Sequence, residues 1–336
     1  MNSNLIKKNQ INKLIPALIL AGLIFISMIS LGCSGEKSTP ETQVTPKLSY
    51  DETTANKSEE PGNSKPAGTY LTPDFLDAVF HEDLAETDGV MFIDTSAVSE
   101  GYVAAAGTSQ SRLKFQVIFG ETKYNYDLPN DGTAKIFPLQ SGDGYYSFRI
   151  MENIVDSKYA LAFETGADVS LLSEFEPYLR PNIYVNYTES SQCVKKCSEF
   201  AAQSDSAPEI ITLVYDYVCS SVSYDYEKAA GGLDMYEPDP DATLKSGKGI
   251  CLDYASLAAS MLRSQGIPTK LIFGYVAPDD LYHAWNMFYT EETGWVSVEF
   301  EINEKNWNRL DLTFSANGSD STFIGNGTNY ADVYQY

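Results

Sequence analysis

The stretch Gly247-Lys248-Gly249-Ile250-Cys251-Leu252-Asp253-Tyr254-Ala255 holds the residue types of a thiol nucleophile in its setting. Two glycines lead into a cysteine, and Cys251, Ala255, Ala258, Ala259 and Leu262 recur at the spacing of one helical face. Gln265-Gly266-Ile267-Pro268 closes that predicted helix with a glycine cap and a proline. Cys251 therefore falls at a helix N-terminus, where unpaired N–H groups and the helix dipole favour a thiolate. The same N–H groups can donate to an oxyanion developing on a substrate carbonyl. A thiolate nucleophile also needs a proton partner. The chain has two histidines, His81 and His283. His81 falls in a predicted helix beside Glu82 and Asp83 and reads as exposed. His283, in Tyr282-His283-Ala284-Trp285-Asn286, falls on a predicted strand and shares a face with Trp285, Met287 and Tyr289. A third group must hold the imidazole in the useful tautomer. Asp311, alternating with Leu310 and Leu312, fits that role, and Glu299, four residues after Trp295, is the second candidate.

Several elements must position these residues. Thr72-Pro73-Asp74 followed by Phe75, Leu76, Val79 and Phe80 predicts a short helix within residues 70–89. From about residue 90 to 185 the pattern has period two, with strands expected at 90–93, 101–105, 113–119, 124–128, 135–138, 144–150 and 159–164. Pro129-Asn130-Asp131-Gly132 and Ser141-Gly142-Asp143-Gly144 mark turns between them. Short strands at this spacing predict a small β-sandwich-like N-terminal domain. Helices follow at 191–202 and 208–221, the second with a buried stripe of Ile210, Ile211, Val214, Tyr215 and Val218. Cys219 sits beside that stripe as a core cysteine, while Cys193 and Cys197, one turn apart, read as two thiols or a strained disulfide. Strands return at 270–276, 282–289, 295–300 and 309–314, and the Gly-, Asn- and Ser-rich end, 315–336, reads as loop. The fold class is α+β, with a helical lobe followed by an antiparallel sheet.

The first 32 residues carry Lys7, Lys8 and Lys13 and no acid, and residues 14–32 are uncharged. This is the pattern of an export signal, long enough that a single N-terminal transmembrane anchor is the alternative. Ser30-Leu31-Gly32-Cys33 resembles a prokaryotic lipobox, which implies lipidation at Cys33 and an extracytoplasmic body held on the membrane. Residues 33–69 are rich in Ser, Thr, Pro, Glu and Lys, too polar to offset their ordering entropy, and read as a disordered linker.

Composition removes other classes. The chain has 336 residues, with 23 Lys and Arg against 46 Asp and Glu, a formal charge of −23. That balance, with no basic cluster in the body, excludes a nucleic-acid partner. Two histidines cannot make a three-His site, and neither HExxH nor a CxxC pair occurs, so no metal and no cofactor is implied. Pro238-Asp239-Pro240-Asp241 reads as a turn or helix start with Asp241 as a cap, since EF-hand spacing is missing.

Gly249-Ile250-Cys251, His283-Ala284-Trp285 and Asp311-Leu312-Thr313 resemble the motifs of the transglutaminase-like superfamily, in the lipoprotein form found in bacteria and archaea. Tyr224-Asp225-Tyr226 and Met261-Leu262-Arg263-Ser264-Gln265-Gly266-Ile267-Pro268 match as well, so the resemblance covers roughly residues 190–316. It implies a papain-like core with Cys251 as nucleophile, His283 as base and then acid, and Asp311 as the orienting carboxylate. Tyr224 is a candidate oxyanion donor, Trp285 is expected to roof the histidine, and Asp253 to cap the helix start or pair nearby. The organisation expected is a signal peptide at 1–32, a linker at 33–69, a β-rich domain at 70–188 and a transglutaminase-like domain at 189–336. The function implied is thiol acyl transfer on peptide or glutamine-type amides of a surface protein or peptide, through a thioester, with hydrolysis preferred over cross-linking. The alternative is an inactive domain whose fold is kept as a surface binding module.

Overall fold

The computed structural model describes residues 67–231, 236–276, 281–291, 294–296 and 330–336. Cys33 with the expected signal and most of the linker, and also Glu299, Trp307 and Asp311, lie outside the described residues. Those described fall in one compact unit, Gly62–Tyr336, which mixes helices with antiparallel sheets.

The β-rich part contains β1 (Glu86–Thr87), β2 (Met91–Asp94), β3 (Tyr102–Gly107), β4 (Leu113–Phe119), β5 (Thr122–Leu128), β6 (Lys135–Pro138), β7 (Gly144–Val155) and β8 (Lys158–Val169). They form two antiparallel four-stranded sheets, ordered β1-β2-β3-β6 and β5-β4-β7-β8. Alternation explains both: Leu113, Phe115 and Val117 are buried while Lys114 and Gln116 between them are not. The Phe115 ring of one sheet lies 4.4 Å from Phe137 of the other, so both share one core. Gly132 (φ 89°) and Gly142 (φ 81°) adopt the left-handed conformation that their turns demand.

Residues 67–80 carry no regular secondary structure, contrary to the helix expected there; only Glu82–Leu84 makes a turn of 3-10 helix, and His81 precedes it. Tertiary contacts override the local signal. The amides of Gly68 and Tyr70 donate to the carbonyls of Ala202 and Ser204, both at 3.0 Å, and the Tyr70 hydroxyl donates to the Gln265 carbonyl at 2.7 Å. Pro73 sits so close to Gly266 that a Cβ there would fall 2.2 Å from the proline ring. His81 is fixed by Asp94, whose carboxylate accepts its amide at 2.7 Å and lies 3.3 Å from its Nδ1.

The helical part has α1 (Gln192–Ala201), α2 (Ala207–Ser221), α3 (Tyr226–Ala229), α4 (Pro240–Ser246) and α5 (Cys251–Arg263). The predicted stripe of α2 is its buried face. Cys193 and Cys197 are buried free thiols, which burial pushes well above the usual thiol range. The acidic turn before α4 divides its work. Asp239 caps α4 by accepting the Ala242 amide at 2.9 Å, whereas Asp241 caps α1, accepting the amides of Gln192 and Cys193 at 2.9 Å. No local pattern reveals the second cap, because its helix starts 49 residues earlier.

Helix α5 is buried from Leu252 to Arg263, not along one face only. Its alanines and serines let other elements approach on every side, and α1, α2 and α4 pack around it. It also lies against a sheet ordered β13-β12-β11-β14, made of β11 (Thr269–Val276), β12 (Leu281–Thr290), β13 (Gly294–Val296) and β14 (Tyr330–Gln335). The last strand corrects the loop expected over 315–336. Polar residues earlier in that stretch mask the segment Tyr330–Gln335, which pairs antiparallel with β11 across a bulge beside Phe273 and Gly274. Among the described residues no helix is long and apolar enough to cross a membrane.

Arg263 fastens the far end of α5. Its guanidinium is buried and donates to the carbonyls of Thr269 (2.9 Å), Arg180 (2.7 Å) and Tyr336 (2.9 Å). Burial lowers its pKa to about 10, still high enough to keep the charge at neutral pH. Arg180 in turn donates to the Asp77 carbonyl at 2.7 Å and contacts Glu100 and Glu176 at 3.0 and 3.2 Å, holding the segment before β1. Arg263→Ala is expected to cost about 3 kcal/mol or more, since it strands buried carbonyls that accept from a charged donor. Urea unfolding monitored by circular dichroism measures this, with Arg263→Lys recovering part of the loss.

Candidate active site

The approach to Cys251 is built by two glycines. Gly247 ends α4 in the left-handed conformation (φ 63°), its amide returning to the Thr243 carbonyl at 2.9 Å. The chain then forms β10 (Lys248–Gly249), which pairs in parallel with β9 (Ser223–Tyr224). Ser223 and Asp225 donate to the Gly247 and Gly249 carbonyls at 2.9 Å. That ladder sets Tyr224 across from Gly249, two residues before Cys251. Cys251 is the first residue of α5, a half-buried free thiol.

Asp253 secures the helix start. Its fully buried carboxylate accepts the Ile250 amide at 2.8 Å, the Lys228 ammonium at 2.6 Å and the Tyr236 hydroxyl, and Lys228 also meets that hydroxyl. This is one half of a capping box; Ile250 has no side-chain acceptor to complete it. Gly249 is required by the same arrangement, because a Cβ there would lie 2.7 Å from the Asp253 Cβ. Burial first, and then the Asp253 carboxylate, push the Tyr236 hydroxyl well above its ordinary pKa, so it remains a donor. The Tyr254 hydroxyl ties the next residue of α5 to the Val222 carbonyl at 2.7 Å.

His283 is buried on β12, opposite Gly274 of β11, and Trp285 is buried opposite Ile272. Strand β12 lies directly against α5. Asn286 Nδ2 donates to the Ala255 carbonyl at 3.0 Å, one turn beyond Cys251, and to the Lys270 carbonyl at 3.2 Å. Asn286 thereby faces α5, and Ala284 and Phe288 are buried in the hydrophobic core. Cys251, Tyr224 and Asp253 thus converge on one helix start, with His283 on the strand packed beside that helix. Asp311 lies outside the described residues. Lys228, Tyr236 and Asn286 are the contributors that sequence reasoning missed. Only Asp225 offered a signal for Lys228: as the N-cap of α3 it accepts the Lys228 amide at 2.9 Å and so begins the turn that presents that side chain. Among the described residues no group of three or more His, Cys, Asp or Glu could hold a metal. Gly249→Ala is expected to destabilise the fold by about 1–3 kcal/mol through overpacking against Asp253, read as a lowered Tm.

Comparison with known proteins adds the family. Residues 195–300 match the family model described as Transglutaminase-like superfamily. No curated protein is significantly similar. Among solved structures, a candidate cysteine protease from Cytophaga hutchinsonii is 14% identical with a TM-score of 0.35, covering 69% of this chain and 73% of its own. LapG of Legionella pneumophila is 15% identical with a TM-score of 0.29, covering 43% of this chain and 70% of its own. Red sea bream transglutaminase is 14% identical with a TM-score of 0.26, covering 63% of this chain and 48% of its own. These scores are low, and the assignment rests on the family model together with the motifs it spans. Residues 195–300, which carry Cys251 at a helix start and His283 on the adjoining strand, form a transglutaminase-like superfamily domain.

Proposed function

We propose that the chain is an extracytoplasmic thiol acyl-transfer enzyme acting on peptide or glutamine-type amide bonds. The observation that carries this reading is a half-buried free thiol at the first position of a central helix, in a domain of the transglutaminase-like superfamily. Cys251 attacks the carboxamide or peptide carbonyl as a thiolate. The oxyanion of the tetrahedral intermediate takes hydrogen bonds from the Cys251 amide and from an upstream donor, for which Tyr224 is the candidate. His283 accepts the thiol proton and returns it to the leaving amine or ammonia, and Asp311 orients the ring. A thioester remains, and water resolves it; lysine as acceptor would give a cross-link instead. Trp285 shields the histidine from water. Cys33 carries the lipid that holds the enzyme at the membrane, and residues 33–69 act as the tether. The N-terminal sheets form a small sandwich, and the tether ends where Gly68 and Tyr70 bond to Ala202 and Ser204 beside the helical part.

Alkylation by iodoacetamide as a function of pH, followed by mass spectrometry of the Cys251 peptide, tests the nucleophile. The apparent pKa should fall well below the value of about 8.5 for a free cysteine. A thiol reacting like free cysteine would sink the enzyme reading. His283→Ala should raise that apparent pKa, and an unchanged profile would mean the two side chains are not paired. With a glutamine-containing peptide, ammonia release should be lost in Cys251→Ala. Product masses with and without an added primary amine distinguish hydrolysis from cross-linking.

A further inference from the structure

The charge pair of Lys228 and buried Asp253 beside Cys251 takes no part in the acyl-transfer steps. Asp253 is fully buried, two residues from the thiol, and on the same first turn of α5. Left alone, its negative charge would oppose a thiolate at Cys251 and cancel much of what the helix N-terminus offers. It is not left alone. Lys228 on α3 and Tyr236 ahead of α4 reach it from two separate segments, while its remaining contact is the Ile250 amide that leads into Cys251. Lys228 keeps only 29% of its side chain exposed, so its charge is spent mainly on this carboxylate.

We infer that Lys228 and Tyr236 are positioning residues for Cys251, neutralising and clamping Asp253 so that the start of α5 presents its amide and holds a thiolate. This rests on the reading of Cys251 as the nucleophile. A capping carboxylate is the simplest way to fix the Ile250–Cys251 backbone, but a negative cap placed this near a thiolate needs a counter-charge. The titratable groups on the elements around this helix start are Cys219 on α2, Tyr224 on β9, Asp225, Tyr226, Glu227 and Lys228 at α3, Tyr236 and Asp239 ahead of α4, Asp241 and Lys245 on α4, Lys248 on β10, Cys251, Asp253 and Tyr254 on α5, and His283 on β12. Of these, Lys228 is the cation bound to Asp253.

Opposite shifts from the two halves of the pair test this on the full chain. The measured quantity is the apparent pKa of Cys251 from iodoacetamide rates, with circular dichroism confirming the fold. Lys228→Met leaves the carboxylate uncompensated and should shift the profile up by about one pH unit. Asp253→Asn leaves the ammonium uncompensated and should shift it down. Lys228→Arg should stay near wild type, and Lys228→Met with Asp253→Asn together should return towards it. A merely structural pair would move neither value, or both in one direction, and either result would overturn the inference. If Lys228→Met does not fold, the isosteric Asp253→Asn decides alone: a downward shift supports the assignment, and an upward or absent shift rejects it. Because each shift is read against the wild-type value, the result stands apart from whether that value is itself depressed.

Discussion

The arrangement around Cys251 depends on one buried carboxylate. Asp253 accepts hydrogen bonds from the Ile250 amide, from Lys228 and from Tyr236. Each donor comes from a different stretch of chain, so α3, the approach to α4 and the first turn of α5 share one fixed point. Burying a carboxylate is costly unless it is paired and hydrogen-bonded, and here every oxygen is engaged. The constraint reaches back into the sequence, because Asp253 can fold under the helix start only where Gly249 lacks a side chain. It reaches outward through the β9–β10 ladder, which sets Tyr224 across from that glycine.

The opposite end of α5 is fixed by a different device. Arg263 collects three carbonyls, drawing in Arg180, the first residue of β11 and the residue after β14. A helix held at both ends by buried charge, with small residues along its length, can serve as the axis on which helices pack from one side and a sheet from the other. The strand bearing His283 is one of the sheet's two central strands and is bonded directly to α5 through Asn286. The positions of Cys251 and of His283 therefore follow from packing of rigid elements, not from loops.

What could be read in the sequence, and what could not, divides along physical lines. Periodicity exposed the strands from 113 to 138 and the stripe of α2, because those signals are local and strong. The glycine-led helix start at Cys251 was legible for the same reason. The helix signal at 70–89 is overridden because the conformation there is decided by Ser204, Gln265 and Gly266, far along the chain. Strand β14 is hidden because it follows a polar run that dominates the composition and because a bulge breaks its period. Lys228 and Tyr236 could not be paired with Asp253 from spacing, because 25 and 17 residues separate them and no periodic rule links α3 to α5. Asp241 likewise caps a helix that no neighbouring residue announces.

The central claim is that the Cys251 thiolate and the His283 imidazole work as a pair. A bifunctional reagent such as 1,3-dibromoacetone alkylates a thiolate at one end and can bridge to an imidazole only within the span of its three carbons. Treatment of the full chain followed by digestion and mass spectrometry reads the outcome directly. The account predicts one bridged species joining the Cys251 and His283 peptides, lost in His283→Ala. Reagent attached to Cys251 alone, with His283 unmodified, would contradict it.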